Sequence, residues 1–297
     1  MLRHYLSDGA PGITGAGYVL PMACPNVAAS VVLYQPESAQ IERVRRLAAI
    51  FPVVVAADNS EPQLEPIDGL EWVSMGENMG IAAGLNACAK RGSELGYEWL
   101  LTLDQDTDLK PAAWSEYLAA FDAFGDKVNT AVITPRFNLQ DPLEAGEGPV
   151  RDLEIVMTSA NLLNLEVWKK MGGFAEELFI DEVDHEYCLR CRLAGYRIVR
   201  LIDAHIAHRP GKVLTMMTRR GPVALDWEPP NRLYYIARNY WFIRRRFGKD
   251  FPSVIAGRRG LLLAKFREWV RYHPSDLAGA YQLIRGTIHG VVGRFGR

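Results

Sequence analysis

The sequence predicts an α/β fold built on a mostly parallel sheet flanked by helices. Two observations carry this. Short apolar runs of strand length alternate with stretches of helical period over residues 27–134, the pattern of parallel strands joined by crossovers. Three of the runs finish in polar or turn residues: Tyr34-Gln35-Pro36, Asp58-Asn59-Ser60 and Asp104-Gln105-Asp106. In a parallel sheet those ends share one edge, where open α/β sheets bind their ligands.

The elements follow in order. Residues 1–26 are rich in Gly, Ala and Pro without a period, and read as a loosely structured lead-in. Residues 28–33 form a buried strand. Residues 37–50 repeat Ile41, Val44, Leu47 and Ala48 at helical spacing, and 52–57 make a second strand. The helix 80–95 carries the stripe Ile81, Leu85, Cys88 and Ala89. A strand at 98–103 is followed by a helix opening at Pro111, a favoured first helical position, and running to Phe124. After a strand at 130–134, the turn-rich stretch 136–150 reads as a loop over a site. An extended segment (152–158), a short helix (165–171), a helix closed by Gly195 (181–194) and a strand (197–202) come next. Beyond residue 229 the pattern is amphipathic helix, broken near Pro252 and Pro274.

The chain has 297 residues, 48% hydrophobic and 23% charged, which suits a globular protein of one large domain plus an extension, or of two domains. No run approaches the ~18–20 apolar residues of a membrane span. Met-Leu-Arg-His-Tyr-Leu at the start lacks the apolar core of a signal peptide, so a cytoplasmic location is expected. Cys188-Leu-Arg-Cys191 has C-x-x-C spacing but lies in a helical pattern with no second pair. Cys24, Cys88, Cys188 and Cys191 are therefore read as thiols, not a zinc site. Charge is uneven: residues 231–297 hold 14 Lys/Arg against 3 Asp/Glu, a net +11, and the other 230 residues hold 20 against 32, a net −12.

Several constellations can carry chemistry. Side chains two apart on a strand point the same way, so an extended Asp104-Gln105-Asp106 would converge two carboxylates on one point. Two hard oxygen ligands with room for phosphates suit Mg²⁺ or Mn²⁺; equally, an Asp-rich turn can simply cap a helix. In Phe179-Ile180-Asp181-Glu182-Val183-Asp184-His185-Glu186, four acids crowd a helix start, which the macrodipole favours without any function. A carboxylate there on the cleft side could also serve as a general base. His208, or His205 by composition, could complete a metal site, and Arg209 could meet a phosphate. Gly76, Gly80 and Gly84 fit no phosphate-loop pattern and suit close helix packing; Asn78 and Asn86 beside them are candidate polar contacts.

In order, these residues resemble glycosyltransferase family two, and within it the bacterial rhamnosyltransferases, from about Val27 to about Arg246. The likeness rests on Asp58-Asn59-Ser60, Asn78-Met79-Gly80-Ile81-Ala82 with Asn86, Leu103-Asp104-Gln105-Asp106-Thr107 and Ser159-Ala160-Asn161-Leu162. It continues through Gly172-Gly173-Phe174, Phe179 to Arg190, His208-Arg209-Pro210-Gly211 and Arg232 to Asn239. The resemblance implies a GT-A, Rossmann-like catalytic domain at 1–228 and a basic, aromatic-rich helical extension at 229–297. It also implies inverting, metal-dependent sugar transfer, with L-rhamnose from dTDP-L-rhamnose as the sugar, to a hydroxyl of a polysaccharide or lipid-linked glycan.

The resemblance also distributes roles. Asp58 matches the carboxylate that reads the pyrimidine. Asp104 and Asp106 match the D-x-D at the ribose and, through Mg²⁺ or Mn²⁺, the diphosphate. His208 matches the third metal ligand, and Asp184 the general base, with Asp181 its rival. Tyr34, Asn78, Asn86, Asn161, Arg238 and Asn239 complete the donor contacts. Gln35 stands where Asn is usual, and Val183 where many members have an acid. Two readings compete: a haloacid dehalogenase-type phosphatase, against which Asp108 occupies the Thr/Val place of its motif, and a catalytically silent nucleotide-sugar-binding subunit. The tail suits an anionic membrane surface, with Trp241, Phe242, Phe247, Phe266 and Trp269 between its charges; packing of those aromatics on the catalytic domain explains them equally. No nucleic-acid module is present.

Overall fold

The computed structural model describes residues 26–137, 148–206, 213–218, 221–226, 228–272 and 276–296. The lead-in, Cys24, most of the loop expected over the site, and His208 with Arg209 lie outside these residues.

The chain runs β1 (Val27–Leu33), α1 (Ser38–Leu47), β2 (Val54–Asp58), β3 (Glu71–Ser74), α2 (Ile81–Glu94), β4 (Trp99–Asp104), α3 (Pro111–Ala123), β5 (Thr130–Phe137), β6 (Val150–Asp152) and β7 (Asn161–Asn164). It continues with α4 (Leu165–Met171), α5 (Val183–Leu193), β8 (Arg197–Ile206), the hairpin β9 (Val213–Thr218) and β10 (Gly221–Asp226), and α6 (Pro230–Phe247), α7 (Pro252–Tyr272) and α8 (Leu277–Val292). Eight strands form one sheet in the order β3-β2-β1-β4-β7-β5-β8-β6. The β3–β2–β1–β4 half is parallel. β7 then runs antiparallel between β4 and β5, and β6 antiparallel on β8.

β1 is buried along its whole length, as a central strand covered on both faces must be. One face carries α2, α4 and α5 through Leu85, Cys88, Ala89, Leu165, Tyr187 and Cys188. The other carries α1 and α3 through Leu47, Trp114, Tyr117 and Phe121. Cys88, Cys188 and Cys191 are buried free thiols; burial pushes Cys88 and Cys191 up to about 12.

The C-terminal helices form a third apolar cluster that takes in Leu189 of α5. Trp241, Phe242, Phe247, Phe266 and Trp269 all belong to it, so these aromatics pack inward. Glu186 on α5, fully buried, pairs with Arg190 at 2.8 Å and with Arg246 of α6 at 3.0 Å, joining α6 to α5.

Three expectations change. The extended segment read at 152–158 belongs to the sheet only as far as Asp152, and the chain then leaves it so that the Thr158 amide reaches Asp184. β8 continues to Ile206, which sets His205 in a strand beside Arg136 of β5 and away from the cleft. β4 stops at Asp104: the Thr107 N–H donates to the Asp104 carbonyl at 2.9 Å, closing a turn where an extended segment was expected.

Candidate active site

A cleft of about 670 Å³ opens at the carboxyl ends of β1 and β4. Val32 and Asp104 are register partners on those strands. Although the chain turns after Asp104, both Asp104 and Asp106 line the cleft. Gln105 stitches this turn to the end of β1: the Tyr34 N–H donates to Oε1 at 2.9 Å, and Nε2 donates back to the Tyr34 carbonyl at 3.2 Å. Tyr34, half exposed, and Asn78 stand at the same rim.

The opposite wall is the loop leading into α5. Phe179, Asp181 and Glu182 all have φ between 64° and 66°, a left-handed conformation costly for non-glycine residues. The loop holds because its carbonyls are clamped. Asn239 Nδ2 donates to the carbonyls of Leu178, Ile180 and Asp181 at 2.7–3.0 Å. Arg238, with no exposed surface, donates to the carbonyls of Glu177 and Leu178 and lies over the Tyr235 ring, which stacks on Phe179 at 4.9 Å. The Phe179 carbonyl in turn accepts the Ile81 N–H at 2.8 Å, at the start of α2. Gly80 makes this approach fit: its φ is 86°, and a Cβ would sit 2.5 Å from that carbonyl oxygen.

The four acids at this helix start have different fates. Asp181 takes Arg232 on both oxygens at 3.0–3.2 Å; burial raises its carboxyl above the usual range against the opposing pull of Arg232. Glu182, buried, lies 2.8 Å from His185 Nδ1 and 2.6 Å from Arg258 Nε. Burial works to raise Glu182, but His185 and Arg258 outweigh it and hold the carboxyl below its usual range. Burial works to lower His185, and the charges of Asp184 and Glu182 outweigh it, so its imidazole titrates above the ordinary value. Glu186 is the partner of Arg190 and Arg246. Asp184 differs. Its oxygens accept the Thr158 N–H at 3.1 Å and the His185 N–H at 2.8 Å, and among the described residues no guanidinium pairs with it.

Other residues named from the sequence stand elsewhere. Asp58 has no exposed surface and accepts the Ser60 and Leu64 amides at 3.0 and 2.7 Å, so it shapes the loop after β2; its neighbour Asn59 is the one that lines the cleft. Asn86 joins α2 to the segment after α4 through Phe174, Trp168 and Glu176, outside the cleft. Asn161 lies behind Asp184 on a cavity of about 20 Å³, room for about one water. Arg238 and Asn239 hold the loop and do not line the cleft. Arg232, Tyr235 and Arg258, none singled out as a site residue from sequence, do line it. Arg232 and Tyr235 fall within the Arg232-to-Asn239 run of the resemblance, and Arg258 is marked only by its place in the basic tail.

Among the described residues, five acids (Asp104, Asp106, Asp181, Glu182 and Asp184) and two arginines line the cleft. No group of three metal-binding side chains is found among them. Asp104 and Asp106 alone supply two hard oxygen donors, a set that suits Mg²⁺ or Mn²⁺ when a diphosphate fills the remaining positions.

The fold is of the GT-A type, a central sheet between helices, and the acidic pair stands at the carboxyl edge of that sheet. In sequence the chain resembles the dTDP-rhamnosyl transferase RfbF of Shigella flexneri, 25% identical over 298 residues, covering 89% of this chain and 97% of that one. Staphylococcus aureus TarS 1-349 in complex with UDP-GlcNAc superposes with a TM-score of 0.50 at 15% identity, over 90% of this chain and 81% of that one. A structure of GalNAc-T7 with UDP, GalNAc and Mn²⁺ overlaps with a TM-score of 0.49 at 10% identity, over 87% of this chain and 58% of that one. No family model matches the chain.

Proposed function

We propose that the protein transfers a sugar, L-rhamnose from dTDP-L-rhamnose, to a hydroxyl of a polysaccharide or lipid-linked glycan, with inversion at the anomeric carbon. The observation that carries this reading is the meeting of Asp104, Asp106 and Asp184 on one cleft. The rhamnosyl donor is taken from the likeness to RfbF.

In this mechanism Asp104 and Asp106 would hold a divalent ion, with His208 the third ligand that the resemblance implies. The ion, when bound, offsets the charge that builds on the departing diphosphate. Asp184 removes the proton from the acceptor hydroxyl as it attacks the sugar carbon from the face opposite the diphosphate. Its Thr158 and His185 amide contacts fix the carboxylate's direction, and among the described residues no guanidinium pairs with it. Asp181, committed to Arg232, positions the loop. A single displacement needs one such carboxylate and no covalent sugar intermediate. Nothing favours the phosphatase reading: Asp108 is engaged by Lys110 and Arg46 and does not line the cleft.

The test is calorimetric titration with nucleotide sugars in the presence and absence of Mn²⁺, followed by turnover of any that bind. Asp184→Asn is expected to bind the donor as the parent does and to lose turnover by about 10²-fold or more. Near-parental turnover would remove Asp184 from the base role. Binding without turnover by the parent, across acceptors, would leave a silent binding subunit.

A further inference from the structure

α8 is packed inside out. Its buried residues are Gly279, Leu283, Gly286 and Gly290; Gly279 faces Trp269 of α7, and Gly286 and Gly290 face α6. A Cβ on Gly286 would collide with the Tyr234 carbonyl oxygen, and one on Gly290 would stand 2.7 Å from that of Arg238, so the helices touch backbone to backbone. The large apolar residues, Leu277, Tyr281, Ile284, Ile288, Val291 and Val292, point away and are 49–76% exposed. Their spacing puts them on one face. A soluble helix normally turns this face to the core, and an apolar stripe of this extent on the surface marks a docking site.

We infer that this face of α8 seats the protein on an anionic lipid surface, the apolar stripe entering the headgroup boundary and the arginines beside it meeting lipid phosphates. The charges select the occupant. Arg285 and Arg294 are exposed along the stripe, and Arg245 reaches the carbonyls of Gly290 and Val291 at the same end. The whole segment 231–297 carries a net +11 from 14 Lys/Arg and 3 Asp/Glu. Neither acid of α7 and its junction with α8 is offered outward: Glu268 lies 3.9 Å from Lys265, and Asp276 caps the Gly279 amide. A two-fold pairing with a second copy would set these arginines against their own kind with no acid between them, whereas anionic headgroups neutralise them.

No helix among the described residues is long and apolar enough to cross a membrane, so the helix lies on the surface. α6 links this face to the cleft, since Tyr235 lines the cleft and the neighbouring Tyr234 hydroxyl lies 2.9 Å from His289 Nδ1 on α8. The inference draws on the proposed function only for its choice of a lipid surface, where a lipid-linked acceptor resides. Its test needs neither donor nor turnover.

The experiment is flotation of the full chain with phosphatidylcholine vesicles with or without phosphatidylglycerol, at low and high salt. The parent is expected to float with the anionic vesicles at low salt and to be released by salt. Ile284→Asp with Ile288→Asp, exposed positions that leave the fold and melting temperature unchanged, is expected to lower the floated fraction roughly tenfold or more. Arg285→Glu with Arg294→Glu is expected to lower it by a similar factor while the apolar stripe stays intact. Failure of the parent to float, or equal flotation by the Ile284/Ile288 variant, overturns the inference. A dimer in light scattering that this variant dissociates, with no vesicle binding by the parent, assigns the face to a second copy instead.

Discussion

Arg258, on the second helix of the C-terminal extension, places its Nε 2.6 Å from the buried carboxylate of Glu182, two residues before Asp184. The extension thus supplies part of the site's charge balance. Arg232, also from the extension, does the same for Asp181 at 3.0 Å. A buried acid stripped of its partner is costly, about 3–5 kcal/mol. Arg258→Ala is expected to lose about that much stability in denaturant titration, reduced somewhat by the remaining His185 contact. Turnover should fall with donor affinity nearly unchanged, and Arg258→Lys should restore part of it. An unchanged melt would show that the pair contributes nothing.

His185 ties pH to stability. Its titration point in the folded protein lies above the ordinary value of 6.5, so the imidazolium's contribution is fully present below that value. It is lost as pH rises from 6.5 through the folded value. Glu182 has the opposite sign: held low, it contributes above its ordinary 4.5 and is lost as pH falls below that. Stability measured against pH should therefore decline on the alkaline side of 6.5. His185→Gln should flatten that decline, and an identical slope in the variant would exclude His185 as its source.

Asp106 tests the acidic pair. It sits on the turn after β4 and can be shortened without opening the core, since Leu103 and Thr107 flank it as buried residues. Asp106→Ala is expected to abolish the Mn²⁺-dependent gain in donor affinity seen by calorimetry while leaving the melting temperature near the parent's. A preserved Mn²⁺ effect would place the ion elsewhere.

Asn239 separates a positioning role from a donor contact. Asn239→Ala takes this donor from the Ile180 and Asp181 carbonyls, while Leu178 keeps Arg238; each unmet buried acceptor costs about 1–3 kcal/mol, so the melt should fall markedly. In protein that remains folded, turnover should drop more than donor affinity, because the wall carrying Asp184 loosens. A pure loss of donor affinity at parental stability would return Asn239 to the donor-binding set.

Much of the parallel half was legible because it is built from continuous apolar runs between helical periods. β3 and β7 escaped notice. Each is four residues long, too short for a period to register, and β7 enters the sheet antiparallel after an irregular segment. The acidic edge was legible too, since strand ends in a parallel sheet must gather. Roles within it were harder to read. Asp58 and Asn86 are polar residues in family positions, and a sequence does not say that backbone amides have claimed them. Arg238 and Asn239 were visible as a motif, yet their carbonyl partners lie about sixty residues away. Arg258 was counted only as charge, because it stands 76 residues from Glu182.

The Phe179 carbonyl, seated on the Ile81 amide, has an electrostatic corollary. Many α/β proteins greet a phosphate with the open amides at the start of the first helices. Here that terminus is corked by the protein's own oxygen, and the described arginines nearby are already spoken for by Asp181 and Glu182. Among the described residues lining this edge, the acids outnumber the arginines, and both arginines are paired with acids. Under the proposed function the cork would act as a filter, disfavouring bare phosphates and nucleotides and admitting those that travel as a cation complex.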